Sequence, residues 1–313
     1  MIIKKIIKII YPYLIALILL IFVWKYFSGA KLLDALDYFN VNIIVFCFLY
    51  YIIIIKPINT IRYSLFFDIK DRIKLYWILN LSNFILNFIP FRLGEYSYIR
   101  LIKRYYNIKA ERSVPGILTI RFFDYISILL FFILAFFYSG VLFNIGNILL
   151  VSFLIPIFIM LFLIIITFLF RKFDKRNNRL YKIVFLSYQE LKHYSSNTII
   201  VLFLTTLAYW TGRFSYGYLV LILLEIKINF GLFIFITSVL IIISLIPIQI
   251  FANFGIFEFG WIYILNLVEP HISKPELFNK ILAFHIIPLF PVIVMGVLGY
   301  LFLIHSNSKH TSS

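Results

Sequence analysis

The sequence predicts an all-α polytopic membrane protein with about six full transmembrane helices and two re-entrant hairpins in an inverted repeat. Of its 313 residues, 63% are hydrophobic and 13% are charged, and the mean hydropathy is +1.01. Soluble domains carry about 25% charged residues. Apolar runs long enough for a helix to cross a bilayer recur along the chain. The alternating segments of about ten residues that build membrane β-barrels are missing.

The pattern indicates a single membrane domain over 1–313. Full membrane helices are predicted at 8–27, 38–55, 113–138, 148–170, 198–224 and 279–304. The first run follows three lysines and resembles a signal peptide, but it is longer than the usual apolar core of one, so we expect a retained helix. Two further apolar stretches, 75–91 and 230–250, are interrupted by a proline and then by a glycine, which indicates breaks in the helix.

Lysine and arginine are concentrated in some of the connections. Segments 56–74, 92–112 and 171–197 hold five, six and seven of them, whereas 139–147 holds none. The positive-inside rule puts basic connections in the cytoplasm. A full crossing by 75–91 would separate the first two clusters, so we expect a hairpin that enters from the cytoplasm and returns there. Its turn would lie at Pro90 and Gly94.

This distribution predicts a protein of the cytoplasmic (plasma or inner) membrane with both termini in the cytoplasm. It also accounts for the net charge of +16, so we expect no nucleic-acid partner. Within the basic cytoplasmic loop 171–197, segment 179–194 reads either as an amphipathic helix on anionic lipid or as a solvated loop.

A segment later in the chain has the same order of residue types as the first predicted hairpin. Ile246–Glu258 repeats the order of Ile89–Glu95, which is Ile-Pro, a break, Gly and then Glu. A second hairpin would turn at Pro247 and Gly255. Each hairpin follows two membrane helices and precedes a third, so 8–138 and 148–304 would be repeats of opposite orientation. The alternative is a chance similarity between Ile-rich segments.

This topology leaves several charged residues within the membrane: Arg92, Glu95, Arg121, Asp124, Arg213 and Glu258. Such charges cost about 2.5–3.5 kcal/mol each, so they normally face a cavity or one another. Arg121 and Asp124 are three apart on a helix and are able to pair. Either all six charges form ion pairs that join helices, or the arginines hold an anionic group such as a phosphate. Asn253 is a further candidate for substrate binding.

Four motifs carry a resemblance to a known family: "PFRLGE" at 90–95, "AERSV" at 110–114, "RFFD" at 121–124 and "IPIQIFANFGIFEFG" at 246–260. In this order they resemble the transmembrane domain of the lysylphosphatidylglycerol synthase/flippase family, across nearly the whole chain. Ile120 stands where the family usually has a glutamate, and Ala252-Asn253-Phe254 replaces a glycine pair. The family's soluble aminoacyl-transferase domain is not in this sequence, so the resemblance implies the translocating half.

We therefore expect a flippase-like protein that moves an anionic or aminoacylated phospholipid, or a polyprenyl-phosphate-linked lipid, between leaflets. One alternative is a membrane-embedded transferase with Glu95, Asp124 or Glu258 as general base. Another is an accessory subunit beside a separate synthase or glycosyltransferase. The expected partners are lipids with anionic headgroups. We expect no cofactor and no metal, because the five histidines show no ligand spacing and Cys47 is the single cysteine.

Overall fold

The computed structural model of the protein describes residues 21, 32–89, 93–138, 194–243, 251–268 and 274–308, and within these ranges all regular structure is helical. Three of the described helical runs are long and apolar enough to span a membrane: Val41–Phe67, Ala110–Tyr138 and Glu276–Ser306. The all-helical class is confirmed. The predicted helices 8–27 and 148–170 lie outside the described residues, apart from Ile21, as do residues 171–193 of the basic loop. The number of crossings stays a prediction.

Helix α1 (Val41–Phe67) is longer than the sequence predicted, so the connection expected at 56–74 is wrong for residues 56–67, which are helical. A π-helical turn at Tyr51–Ile55 precedes Pro57. Such a turn lets the helix continue past a residue that has no amide hydrogen to donate. The continuing helix carries two basic side chains into the interior, Lys56 (3% exposed) and Arg62 (2% exposed).

The first predicted hairpin contains two helices that pack against each other, α2 (Arg72–Phe88) and α3 (Leu93–Tyr106). Ile89, the residue after α2, has an extended backbone, because a following proline disfavours helical geometry in the residue before it. Residues 90–92 lie outside the described part of the chain. Gly94 was expected in the turn but belongs to the first turn of α3. Helix α2 therefore ends at Phe88, and α3 begins at Leu93.

Two long helices occur close to where the sequence predicts them, α4 (Ala110–Tyr138) and α5 (Ser196–Leu223). Ser195 caps α5, since its side-chain oxygen accepts a 3.2 Å hydrogen bond from the Thr198 N–H.

The second predicted hairpin also contains two packed helices, α6 (Phe230–Ile243) and α7 (Ile256–Val268). A 3-10 turn at Phe251–Asn253 precedes α7. Ala252, Asn253 and Gly255 have φ angles of 47°, 61° and 86°. Left-handed backbone costs an L-residue about 1–2 kcal/mol, so surrounding contacts must hold this turn in place.

The predicted helix 279–304 is divided into α8 (Lys274–Ile286) and α9 (Leu289–Ser308). The division falls at Ile287 and Pro288, where proline removes a helical hydrogen bond.

The packing between the two halves of the chain is reciprocal. Helix α2 of the first hairpin packs against α9, and α6 of the second hairpin packs against α4. Helices α1 and α5 also pack against each other. The contact between α2 and α9 is close, because a Cβ atom on Gly299 would lie 2.8 Å from the carbonyl oxygen of Trp77. Helices α2 and α6 are therefore each held by a long helix from a distant part of the chain.

Tyrosine hydroxyl groups tie several helix ends together on one side of the bundle. Tyr106 Oη donates to the Asp71 carbonyl at 2.8 Å, so the α1–α2 and α3–α4 turns are neighbours. Tyr105 Oη donates to the Leu303 carbonyl at 3.1 Å, and Tyr194 Oη donates to the Phe66 carbonyl. The turns and helix ends on this side carry Lys70, Arg72, Lys74, Lys103, Arg104, Lys109 and Arg112.

Candidate functional site

A cavity of about 560 Å³ lies where the two halves of the chain meet. All nine of the described helices named above contribute to its wall. The ionisable and amide side chains that line it include Asn59, Arg62, Asn83, Asn87, Arg121, Asp124, Arg213, Asn253 and His285. Four of the predicted site residues, Arg121, Asp124, Arg213 and Asn253, are therefore brought to one cavity.

Asp124 is the central carboxylate of the wall and is 1% exposed. Arg62 Nη1 donates to its Oδ1 atom, and the Trp210 indole Nε1–H donates to the same oxygen at 2.9 Å. Arg121 Nη1 lies 3.5 Å from Oδ2, so the predicted pairing of Arg121 with Asp124 is present. A buried charge needs a partner and hydrogen bonds, and Asp124 has both.

Arg62 was not among the predicted site residues, because it follows Lys56 and Pro57, a polar residue and a proline that are typical of the start of a loop. Its Nη2 atom also donates to Asn59 Oδ1 at 3.0 Å. The partner Asp124 lies 62 positions away in the sequence, so no local spacing rule connects the two. The one signal in the sequence was Asp124 itself, because a carboxylate within a predicted membrane helix needs basic partners, and these need not be limited to Arg121.

Tyr209 lies between two arginines. The Arg62 guanidinium carbon is 4.4 Å from the centre of the Tyr209 ring, within the range of a cation–π contact. Arg213 Nη1 donates to the Tyr209 hydroxyl at 3.4 Å, and its guanidinium lies 5.6 Å from the Trp210 ring centre. Within the described residues no carboxylate is within ion-pair distance of Arg213, and its side chain is exposed.

A second buried polar pair joins α7 to α8. Glu258 is fully buried, accepts a 2.7 Å hydrogen bond from the Gly255 N–H, and lies 2.5 Å from His285 Nδ1. The imidazole ring is packed between Phe254 and Phe257, with ring centres at 4.6 and 4.4 Å. Glu258 therefore stabilises the left-handed turn before α7 and orients a histidine on the cavity wall.

Amide side chains form one side of the cavity. Asn83 Nδ2 donates to the Tyr51 hydroxyl at 3.1 Å, and Asn87 Nδ2 donates to the Asn83 carbonyl at 2.8 Å. These residues are half-buried and are four apart on α2, so they share a face of the helix. The cavity consequently combines guanidinium groups with neutral donors and acceptors.

The transmembrane region of lysylphosphatidylglycerol synthase has a family model that matches residues 9–296 of this chain. The chain belongs to that family. The match spans every residue that lines the cavity, from Tyr51 to Val292. No curated protein and no solved structure matches the chain. As a member of the lysylphosphatidylglycerol synthase transmembrane family, it is a multi-pass membrane protein related to the synthesis or flipping of that lipid.

The family motifs are only partly covered by the described residues. Arg92, Pro90 and Pro247 lie outside them, as does the side chain of Glu95, whose backbone belongs to α3. Gly255 lies in the turn before α7, and Ile120 is buried on α4 among apolar side chains. In the described part of the chain no three His, Cys, Asp or Glu residues come together as metal ligands would.

Proposed function

We propose that this protein moves a lipid with an anionic headgroup between the leaflets of the cytoplasmic membrane. The headgroup passes through the cavity, and the acyl chains stay in the bilayer. The observation that carries the proposal is Arg213, which reaches the cavity without a carboxylate partner among the described residues. An arginine at membrane depth is costly unless something offsets its charge, and a lipid phosphate fits the guanidinium geometry.

The other charges of the wall are suited to holding the cavity open. Asp124 is bound by Arg62 and Trp210, and Glu258 is bound by His285. Both acids therefore fix helices relative to one another. The headgroup then binds to Arg213 and to the amides through contacts that break readily, and a transport site must release its substrate.

The inverted repeat belongs to the same proposal and is supported by the reciprocal packing of α2 on α9 and of α6 on α4. Interrupted helices at corresponding positions of two repeats commonly flank a midplane substrate site. The basic end of the bundle lies in the cytoplasm by the positive-inside rule, and the Tyr106–Asp71 hydrogen bond supports a first hairpin that enters and leaves on that side.

The test is lipid movement in liposomes that contain the purified protein and a headgroup-labelled phosphatidylglycerol. We expect Arg213→Gln to slow the movement about ten- to hundredfold, because a charge-assisted hydrogen bond contributes about 1.5–3 kcal/mol. The matched control is Arg100→Gln, which removes an exposed arginine of α3 that does not line the cavity. Equal rates for the two variants, or no movement beyond that of protein-free liposomes, would overturn the proposal.

A second candidate function is a membrane-embedded transferase, favoured by the acid–base pair of Glu258 and His285. A histidine that is oriented by a carboxylate is able to accept a proton from a substrate hydroxyl. Mass spectrometry of the lipids after incubation distinguishes the two functions. A translocated lipid is chemically unchanged, whereas a transferase needs a donor substrate and leaves a covalently altered lipid.

A further inference from the structure

The chemistry of the cavity wall restricts the headgroup beyond its negative charge. Two carboxylates belong to the described part of the site, Asp124 on the wall and Glu258 directly behind it. Both are buried, and each already holds a basic group of the protein. An incoming ammonium group would have to compete with Arg62 or His285 for them. In the described cavity, no carboxylate is available to receive a cationic headgroup.

Of the three arginines that line the cavity, Arg62 and Arg121 are paired with Asp124, whereas Arg213 has no carboxylate within ion-pair distance among the described residues. Its guanidinium contacts the Tyr209 hydroxyl and the Trp210 ring, which are neutral groups that orient it without removing its charge. A second positive charge on the headgroup would therefore meet repulsion from this guanidinium. The same residue that attracts a phosphate disfavours an amine beside it.

The neutral groups of the wall suit hydroxyls. An amide side chain has two donor hydrogens and an acceptor oxygen with two lone pairs. Asn59, Asn83 and Asn87 use only part of this capacity within the described residues. They lie on α1 and α2 and line the same cavity as Arg213 on α5. A headgroup with one phosphate and several hydroxyls would be able to bind Arg213 and these amides together.

We infer that the lipid handled at this site carries an anionic, hydroxyl-bearing headgroup without an amine, as a glycerol phosphate does, and that an aminoacylated headgroup is disfavoured. The inference rests on the proposed function, and it selects among the lipids that this function allows. It separates this chain's substrate from the cationic lipid for which the family is named.

The experiment compares phosphatidylglycerol with its lysyl ester, two lipids that differ only in the added amino acid. In proteoliposomes we expect phosphatidylglycerol to move at least about tenfold faster, from the repulsion of like charges near Arg213. Arg213→Gln should reduce this ratio towards one by slowing phosphatidylglycerol more than the ester. A lysyl ester that moves as fast as phosphatidylglycerol overturns the inference while leaving lipid translocation intact.

Binding is measured separately as the rise in the melting temperature of the detergent-solubilised protein with each lipid. A larger rise with phosphatidylglycerol than with its ester supports the inference even if neither lipid is moved, and in that case translocation alone fails. Equal rises, or a larger rise with the ester, count against the headgroup preference. Soluble glycerol phosphate is the third ligand, and stabilisation by it at the same concentration as the lipid would contradict the assignment to a lipid.

Discussion

Arg62 on α1 donates a hydrogen bond to Asp124 on α4, and this buried pair joins two helices through residues 62 positions apart in the sequence. Trp210 on α5 donates to the same carboxylate. Three helices of the bundle thus meet at one oxygen atom. The junction also positions two neighbouring side chains of the cavity wall, because Arg121 contacts Asp124 and Tyr209 contacts Arg62.

Removal of the acid alone should destabilise the protein strongly. In Asp124→Leu the Arg62 guanidinium stays buried without its counter-charge, so we expect a loss of about 3–5 kcal/mol. The check is the melting temperature of the purified protein in detergent. The control is the double variant Arg62→Met with Asp124→Leu, which should be more stable than the single variant because the fully buried guanidinium is gone and the remaining Arg121 side chain is 31% exposed. A double variant less stable than either single variant would show that the pair is not the stabilising unit.

The pair of Glu258 and His285 should behave in a comparable way, with a local effect on the second hairpin. His285→Phe fits the aromatic surroundings of Phe254 and Phe257 but leaves buried Glu258 with the Gly255 N–H as its one hydrogen-bond donor among the described residues. We expect a loss of about 1–3 kcal/mol or more from the missing partner. Adding Glu258→Gln should restore part of the melting temperature, since a neutral amide still accepts from Gly255. Additive losses in the double variant would argue against direct coupling.

The packing of the first hairpin on α9 gives a sterically matched pair of glycine variants. Gly299→Ala places a methyl group 2.8 Å from the Trp77 carbonyl oxygen, and we expect overpacking to cost about 1–3 kcal/mol. Gly212→Ala meets only Ile54 Cγ2 at 3.6 Å, an ordinary contact. That variant should be neutral or slightly stabilising in the same melting experiment. If Gly212→Ala lowered the melting temperature more than Gly299→Ala, then α2 and α9 would not be in the close contact described here.

The proposed topology predicts which turns are labelled together. In a Cys47→Ala background, Lys70→Cys and Asn107→Cys should both react with an impermeant thiol reagent from the cytoplasmic side, because the Tyr106–Asp71 hydrogen bond makes their turns neighbours. Lys227→Cys, just after the far end of α5, should react from the outside. If the first two positions were labelled from opposite sides of the membrane, the prediction of a re-entrant hairpin would be wrong.

Sequence periodicity and charge were enough to predict the helical class and α4 and α5 to within three residues. They also predicted the pairing of Arg121 with Asp124, because that pair obeys a local spacing. Contacts between distant segments were not predictable in this way. Arg62 looked like a loop residue because hydropathy scores a lysine, a proline and an arginine as polar, whether or not a partner neutralises them.

His285 illustrates the same limit in the second half of the chain. Its partner Glu258 is 27 positions away and belongs to another helix, so a search for ligand or ion-pair spacing along one helix passes over it. Gly94 shows a different limit, because glycine is compatible with both a turn and a helix start. The proline before it, which restricts the backbone of Ile89, was the stronger indicator of where α2 ends.

The central claim is that a lipid headgroup passes through the cavity, and thiol blockage tests it most directly. Thr237→Cys, in the Cys47→Ala background, places a thiol on the cavity wall at α6, and Leu134→Cys places one on the exposed surface of α4. The rate of phosphatidylglycerol movement in proteoliposomes is measured before and after reaction with a bulky, membrane-permeant thiol reagent. We predict that modification at Thr237→Cys lowers the rate to that of protein-free liposomes, while modification at Leu134→Cys leaves it unchanged. An unchanged rate after complete modification at Thr237→Cys would contradict the account.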